Sequence, residues 1–224
     1  MKKLLLLLFL GFTIVGFSQN TAIPDSNFEQ ALIDLGFDTA PINGSVPTAN
    51  ISGVTSLNVS YKNITDLTGI EDFTALATLR CYDNQLTSLD VSNNTALNSL
   101  FCFDNQLTSL DVSNNTGLIN LSCEFNQLIS LDVSNNTALN YLNCRSNQLT
   151  SLDVSNNTAL TNLNCRSNQL TSLDVSTNSA LTYLSCYSNQ LTSLDLRNGN
   201  NTNFTFFYST NNPDLTCIFV DDAS

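Results

Sequence analysis

LNCRSNQLTSLDVS occupies residues 142–155, and the same fourteen letters return unchanged at residues 163–176. A globular core asks for no such identity, because its positions differ from one another in depth and neighbours. The offset is twenty-one residues, and the chain can be laid out on that period from Leu76 onward. Leu79, Leu100, Leu121, Leu142, Leu163 and Leu184 then fall in one column. Two residues on stand Cys81, Cys102, Cys123, Cys144, Cys165 and Cys186, and three beyond those stand Asn84, Asn105, Asn126, Asn147, Asn168 and Asn189. Each unit reads LxxLxCxxNQLTSLDVSxNxA, and a fixed period in the twenties is the signature of a solenoid in which one unit makes one coil.

The columns follow from the geometry of stacked coils. In TLRCYD (78–83), alternation puts Leu79 and Cys81 on one face and Thr78, Arg80 and Tyr82 on the other, a short strand with one buried side. Stacking in parallel makes one sheet. Leu76, Leu86, Leu89, Val91 and Ala96 recur in their own columns and are expected to complete the inner wall. The asparagine column lies just after the strand, where the chain bends and a side-chain amide can satisfy backbone groups that would otherwise be buried unpaired. One coil alone buries too little to offset the entropy of ordering it, so neighbouring coils must supply the rest.

The pattern LxxLxLxxNxL, with Cys in the third apolar position, resembles the leucine-rich repeat, and the match covers residues 54–199. VTSLNVSYKNITDLTGIEDFTA (54–75) is a twenty-two-residue variant similar to an internalin-type coil, with Leu57, Val59, Ile64, Leu67, Ile70 and Phe73 in apolar positions. It carries Lys62 where the ladder asparagine should stand, so its turn must be satisfied differently. The units with NQLTSLDVS resemble secreted leucine-rich-repeat proteins of Bacteroidetes-type bacteria. The resemblance implies an α/β-type repeat solenoid, a right-handed coil of mostly strand and loop with its one parallel sheet on the concave face. The functions of that family are diverse, so it constrains activity far less than fold.

The ends follow a different logic. MKKLLLLLFLGFTIVGFSQN opens the chain with Lys2 and Lys3, an apolar run from Leu4 to Phe17, and small residues Gly16 and Ser18 at the positions a signal peptidase reads. Residues 1–18 are therefore expected to be an export signal, with a retained membrane anchor as the alternative. Residues 19–53 are expected to cover the first coil: Ser26 and Glu29 have capping-box spacing, and Phe28, Ala31, Leu32 and Leu35 fall at helical spacing before Gly36. After Leu196 the pattern decays, although Phe204, Phe207 and Leu215 persist, and residues 200–224 are expected to form an incomplete C-terminal cap. The resemblance implies that such chains continue beyond this point and that Cys217 can pair with a later cysteine.

Without residues 1–18, five basic residues face nineteen acidic ones, a formal charge of −14. That argues against nucleic acid and anionic lipid as partners, since both need a basic footprint. Histidine is absent, which removes the commonest general base and makes a Ser-His-Asp set impossible. No catalytic set assembles, and no cofactor is expected. The cysteine column reads as buried free thiols, because parallel in-register side chains seldom reach disulfide torsion and zinc wants ligands converging on a point. Asp90, Asp111, Asp132, Asp153, Asp174 and Asp195 form another column that could bind calcium or accept hydrogen bonds from turn amides. The second reading is favoured: like charges about 5 Å apart in water repel by only about 0.8 kcal/mol, so the ladder needs no ion.

The informative variation lies at outward strand positions, where the scaffold does not dictate the residue. One column reads Tyr82, Phe103, Glu124, Arg145, Arg166 and Tyr187; beside it stand Arg80 and Phe101, and Tyr141 and Tyr183 occupy the third. Aromatics and arginine dominate binding hot spots, and a rigid sheet presents them at low entropic cost. These ten residues are the candidate partner-binding face, with a protein or a cell-surface glycan as the ligand and a monomer as the working unit. The alternatives are a purely structural spacer and a face that is merely solubilised, with Glu124 pairing to Arg145.

Overall fold

The computed structural model describes residues 19–221; the expected export signal lies outside the described residues. The chain begins with β1 (Asn20–Ala22), α1 (Ser26–Asp34), β2 (Ser45–Pro47) and α2 (Thr48–Ile51), β1 and β2 pairing antiparallel. Seven short strands follow at repeat spacing: β3 (Ser56–Asn58), β4 (Thr78–Arg80), β5 (Ser99–Phe101), β6 (Asn120–Ser122), β7 (Tyr141–Asn143), β8 (Asn162–Asn164) and, after β9 (Ser172–Asp174), β10 (Tyr183–Ser185). With β12 (Phe206–Tyr208), which comes after β11 (Ser193–Asp195), they form one eight-stranded parallel sheet, one strand per coil. This is the parallel-sheet solenoid that the period implies. The register is uniform: Leu79 faces Leu100, Leu100 faces Leu121, and so on to Leu163 and Leu184.

A second sheet, absent from the sequence expectation, pairs β9, β11 and β13 (Cys217–Phe219) in parallel. It arises because the Ser-Leu-Asp segments also stack in register; earlier in the chain the same stacking yields only a bridge between Asp90 and Asp111.

The bend after each strand is the tightest point of the coil. Tyr61, Asp83, Asp104, Phe125, Ser146, Ser167 and Ser188 all adopt φ between 51° and 59°, a left-handed conformation that side chains other than glycine's disfavour. The next residue in six of these coils is the ladder asparagine, which stitches the bend shut. The Asn126 Nδ2 group donates to the Cys102 and Cys123 carbonyls, each at 3.1 Å, and its Oδ1 accepts from the Leu107 N–H at 2.9 Å. Lys62 breaks the column without breaking the bond: Asn84 of the next coil accepts from both the Lys62 and Ile64 N–H groups. After the pattern decays, Asn212 restores the ladder, donating to Cys186 and accepting from Leu191.

The inner wall differs from expectation at one column. Ala96 is exposed, and Asn94, two residues earlier, is fully buried. Two tight turns explain this, since the Asn94 N–H bonds to Val91 and the Leu97 N–H bonds to Asn94, which swings the asparagine inward. Asn94, Asn115, Asn136, Asn157 and Asn178 thus form a second buried ladder whose Nδ2 groups donate to carbonyls of the preceding coil and whose Oδ1 atoms have no partner.

The N-terminal cover is held by a carboxylate other than the expected one. Asp25 is the N-cap of α1, its Oδ1 accepting from Asn27 and Phe28, while its Oδ2 accepts from Thr65 and Asp66 in the first coil. Burial raises the Asp25 pKa, but these hydrogen bonds outweigh it and hold the group below its ordinary value. Glu29 instead turns to the loop and accepts from the Asn43 and Gly44 N–H groups. Asp25 wins the cap because it can serve the helix and the coil at once. Phe28 packs on Phe73 of the first coil with ring centroids 6.4 Å apart.

The two ladders differ in how much they bind, and stability should show it. Asn126→Ala strands two buried carbonyls and a buried N–H and should cost on the order of 2–4 kcal/mol. Asn136→Ala removes two donors but also an unpaired buried acceptor, so it should cost about half as much. Urea unfolding of both variants checks the order; equal losses would refute the distinction.

Candidate sheet-face binding site

The three outward columns of the sheet carry the candidate residues, and the coil spacing of about 4.8 Å brings like side chains into contact. Tyr82 lies flat on Phe103, with centroids 4.3 Å apart and planes within 7°, and Tyr61 meets Tyr82 edge-on at 5.3 Å. At the other end, Tyr183 stacks on Phe206 at 4.5 Å, and Tyr187 leans on Tyr208 at 4.8 Å. Along the same face the arginines lie over rings: Arg80 over Phe101 at 5.3 Å, Arg145 over Phe125 at 4.3 Å and Arg166 over Tyr187 at 5.2 Å.

The face therefore gathers eight of the ten candidates into stacked contacts, all but Glu124 and Tyr141, and adds Tyr61, Phe125, Phe206 and Tyr208. Those four were missed for identifiable reasons. Tyr61 and Phe125 stand at the left-handed bend one residue past the outward columns, where Asp or Ser holds the place in other coils. Phe206 and Tyr208 belong to a coil whose spacing, from Asn189 to Asn212, exceeds the period by two. Tyr141, one of the two candidates outside these contacts, is half-buried; burial first and then the nearby Glu124 charge push its hydroxyl pKa up, against hydrogen bonds with Asn143 and Ser122.

Glu124 sits at the centre of the face, 7% exposed. It forms no ion pair with Arg145: its Oε2 and the Arg145 Nε are both enclosed without a hydrogen-bond partner, because Arg145 leans on Phe125 instead. Burial pushes the Glu124 pKa up, Arg145 pulls it down and Asp104 adds to the rise, for a net upward shift. Asp104 is itself raised, by burial and then by Asp83.

The other columns are chemically quiet. The six ladder cysteines are free and buried, and burial pushes Cys81, Cys144 and Cys186 up to about 12. Each Asp of the outer column accepts from the N–H two residues on, as Asp111 does from Ser113 at 2.9 Å. The Ser113 hydroxyl and then its N–H hold Asp111 below its ordinary value. Among the described residues no cluster of three or more His, Cys, Asp or Glu is arranged to hold a metal, and no helix is long and apolar enough to cross a membrane.

No protein-family model and no curated protein sequence matches the chain. Solved structures do. The functional domain of InlJ from Listeria monocytogenes, which includes a cysteine ladder, is similar to it at 29% identity and a TM-score of 0.54, over 91% of this chain. A leucine-rich-repeat protein of Leptospira interrogans matches 72% of it at 26% identity and a TM-score of 0.65. An internalin, InlF of Listeria monocytogenes, shares the fold at 21% identity and a TM-score of 0.63. The fold is that of a leucine-rich-repeat solenoid, and its structural neighbours include internalin-type proteins. The chain spans 62% and 44% of the length of the first two.

Two measurements probe this site. The folded-state pKa of Glu124 lies above its ordinary value of 4.5, so the native state keeps the proton longer and stability falls as pH rises through that interval. Glu124→Gln should therefore raise the melting temperature at neutral pH, with the gain vanishing below the ordinary value; a gain independent of pH would contradict the assignment. Alkylation with iodoacetamide should label only the exposed Cys217 in the native protein and all seven cysteines after unfolding. Labelling of the ladder in the native protein would contradict the buried thiol column.

Proposed function

We propose that the chain is an exported binding protein whose concave sheet face takes a macromolecular partner, a protein in preference to a glycan. In this reading residues 1–18 direct export, 19–53 cover the first coil, 54–199 are the repeats and 200–224 close the C-terminal end. The observation that carries it is the mutual stacking of the outward side chains, which fixes seven rings and three guanidinium groups in place before any ligand arrives. A pre-ordered face spends little entropy on binding, and it is rich in the residue types that act as hot spots.

The same stacking favours protein over sugar. A glycan platform needs an open ring face, and here the faces of Tyr82, Phe103 and Phe206 are turned to one another or to a neighbouring ring. What remains outward is ring edges, hydroxyls and guanidinium N–H groups, which suit the carbonyls and side chains of a protein surface. The InlJ domain and the Leptospira protein are leucine-rich-repeat modules, and their likeness supports an interaction role rather than a catalytic one. Export and a surface or secreted location rest on the basic and apolar run of residues 1–18.

The test is capture of partners from host-cell, bacterial-surface and polysaccharide extracts by the processed chain, beside a variant with Tyr82, Phe103, Arg145 and Arg166 changed to Ala. The wild type should retain a protein that the folded variant loses. Equal capture by both would assign the face a scaffold role; loss on competition with free sugar would make it a glycan module.

A further inference from the structure

Resting on the reading of the sheet face as a binding surface, we propose that Arg145 and Arg166 are its anchor for carboxylates, so that the partner presents an acidic protein segment there. The cations of the described residues divide by location. Lys62 pairs with Asp34 at 3.1 Å and Arg197 with Asp195, both away from the outward columns. Arg80, Arg145 and Arg166, all on the sheet face, form no ion pair among the described residues, although the chain holds nineteen acidic residues against seven basic ones. In so acidic a chain, unpaired arginines collected on one face are charge left uncompensated where a partner would dock.

Their geometry suits a carboxylate. Asn143 and Asn164 are directly paired between β7 and β8, so Arg145 and Arg166, two residues on, stand on adjacent rungs of the same column. Each guanidinium rests on a ring, Phe125 or Tyr187, which orients its plane and reserves its N–H edge for hydrogen bonds. Two planar forks on neighbouring rungs match the two oxygens of a carboxylate, or two carboxylates of an acidic run.

The acids near this pair lie on one side only. Glu124 and Asp104 stand on the preceding rungs, close enough for Arg145 to lower both pKa values, while Tyr187 and Ser188 follow Arg166 on the other side. Glu124 opposes an incoming carboxylate by its charge and makes no hydrogen bond or ion pair with Arg145 that would be lost. Removing that charge should tighten binding, an outcome that a merely structural Glu124 does not predict.

The experiment uses the processed chain with three probes, capped hexaglutamate, capped hexalysine and hexagalacturonate, followed by fluorescence anisotropy at low and high ionic strength. Hexaglutamate should bind best and weaken with salt. Arg166→Gln should weaken it by roughly tenfold, the magnitude of one charge-assisted hydrogen bond, and Arg166→Lys by less. Glu124→Gln should strengthen it several-fold, and Arg197→Gln should leave it unchanged. Circular dichroism confirms that each variant is folded. Absent or salt-independent hexaglutamate binding, equal binding of hexalysine, or indifference to Arg166→Gln and Arg166→Lys overturns the anchor. Preference for hexagalacturonate overturns the protein assignment. A partner captured through Tyr82 and Phe103 but insensitive to Arg145→Gln and Arg166→Gln also overturns it, while leaving the binding face standing.

Discussion

Everything in this solenoid depends on the asparagine that closes the bend after each strand. The strands are three residues long, so the sheet alone offers few backbone bonds per coil. The chain must nonetheless reverse through a left-handed residue and bury the carbonyls around it, a combination that costs free energy twice. One carboxamide offsets both, because it has donors for two carbonyls and an acceptor for an N–H in the coil before it. The bond crosses coils, so each coil is completed by its neighbour. That is why Lys62 is tolerated in the first coil: the amide that serves its bend belongs to Asn84, one coil on.

Cross-coil bonding fixes the translation between coils, and the translation decides what the face can be. Side chains in one outward column arrive at a spacing close to the thickness of two aromatic rings, so neighbouring rings stack and a guanidinium beside a ring lies over it. The scaffold thereby orders the surface without spending core residues on it. The inner wall gains from the same regularity: leucines and cysteines meet their own kind, and the thiols are inert because burial disfavours the thiolate.

The sequence was most legible where one residue type has one job. The leucine, cysteine and first asparagine columns announce strand, wall and bend, since alternation and period leave no other arrangement. Legibility failed where two residues compete for a place. Ala96 and Asn94 both recur, and apolar character points to the alanine, yet turn hydrogen bonds carry the asparagine inward. Asp25 and Ser26 both suit an N-cap, and only the position of Thr65, forty residues away, decides for the aspartate. The candidate face was read column by column, which finds residues but not their partners. Phe125 lies outside the outward columns and was missed, although it is the ring on which Arg145 rests. Glu124 and Arg145 have complementary charges and adjacent rungs, so an ion pair was the natural alternative; the nearer ring takes the guanidinium instead.

The exact recurrence of fourteen residues has its consequence here. Units 142–155 and 163–176 differ in nothing across that span, so the outward arginine of one is set beside the outward arginine of the next. Two like charges on adjacent rungs cost only about 1 kcal/mol where water reaches them. The ring beneath each guanidinium offsets part of that cost, and the rings differ, Phe125 from the preceding coil and Tyr187 from the following one. The repeat thus supplies the pair, and the variable residues flanking it supply the tolerance. Identity between coils builds the scaffold, whereas the differences at the outward columns and the bend are the ones through which a solenoid of near-identical units can acquire a face.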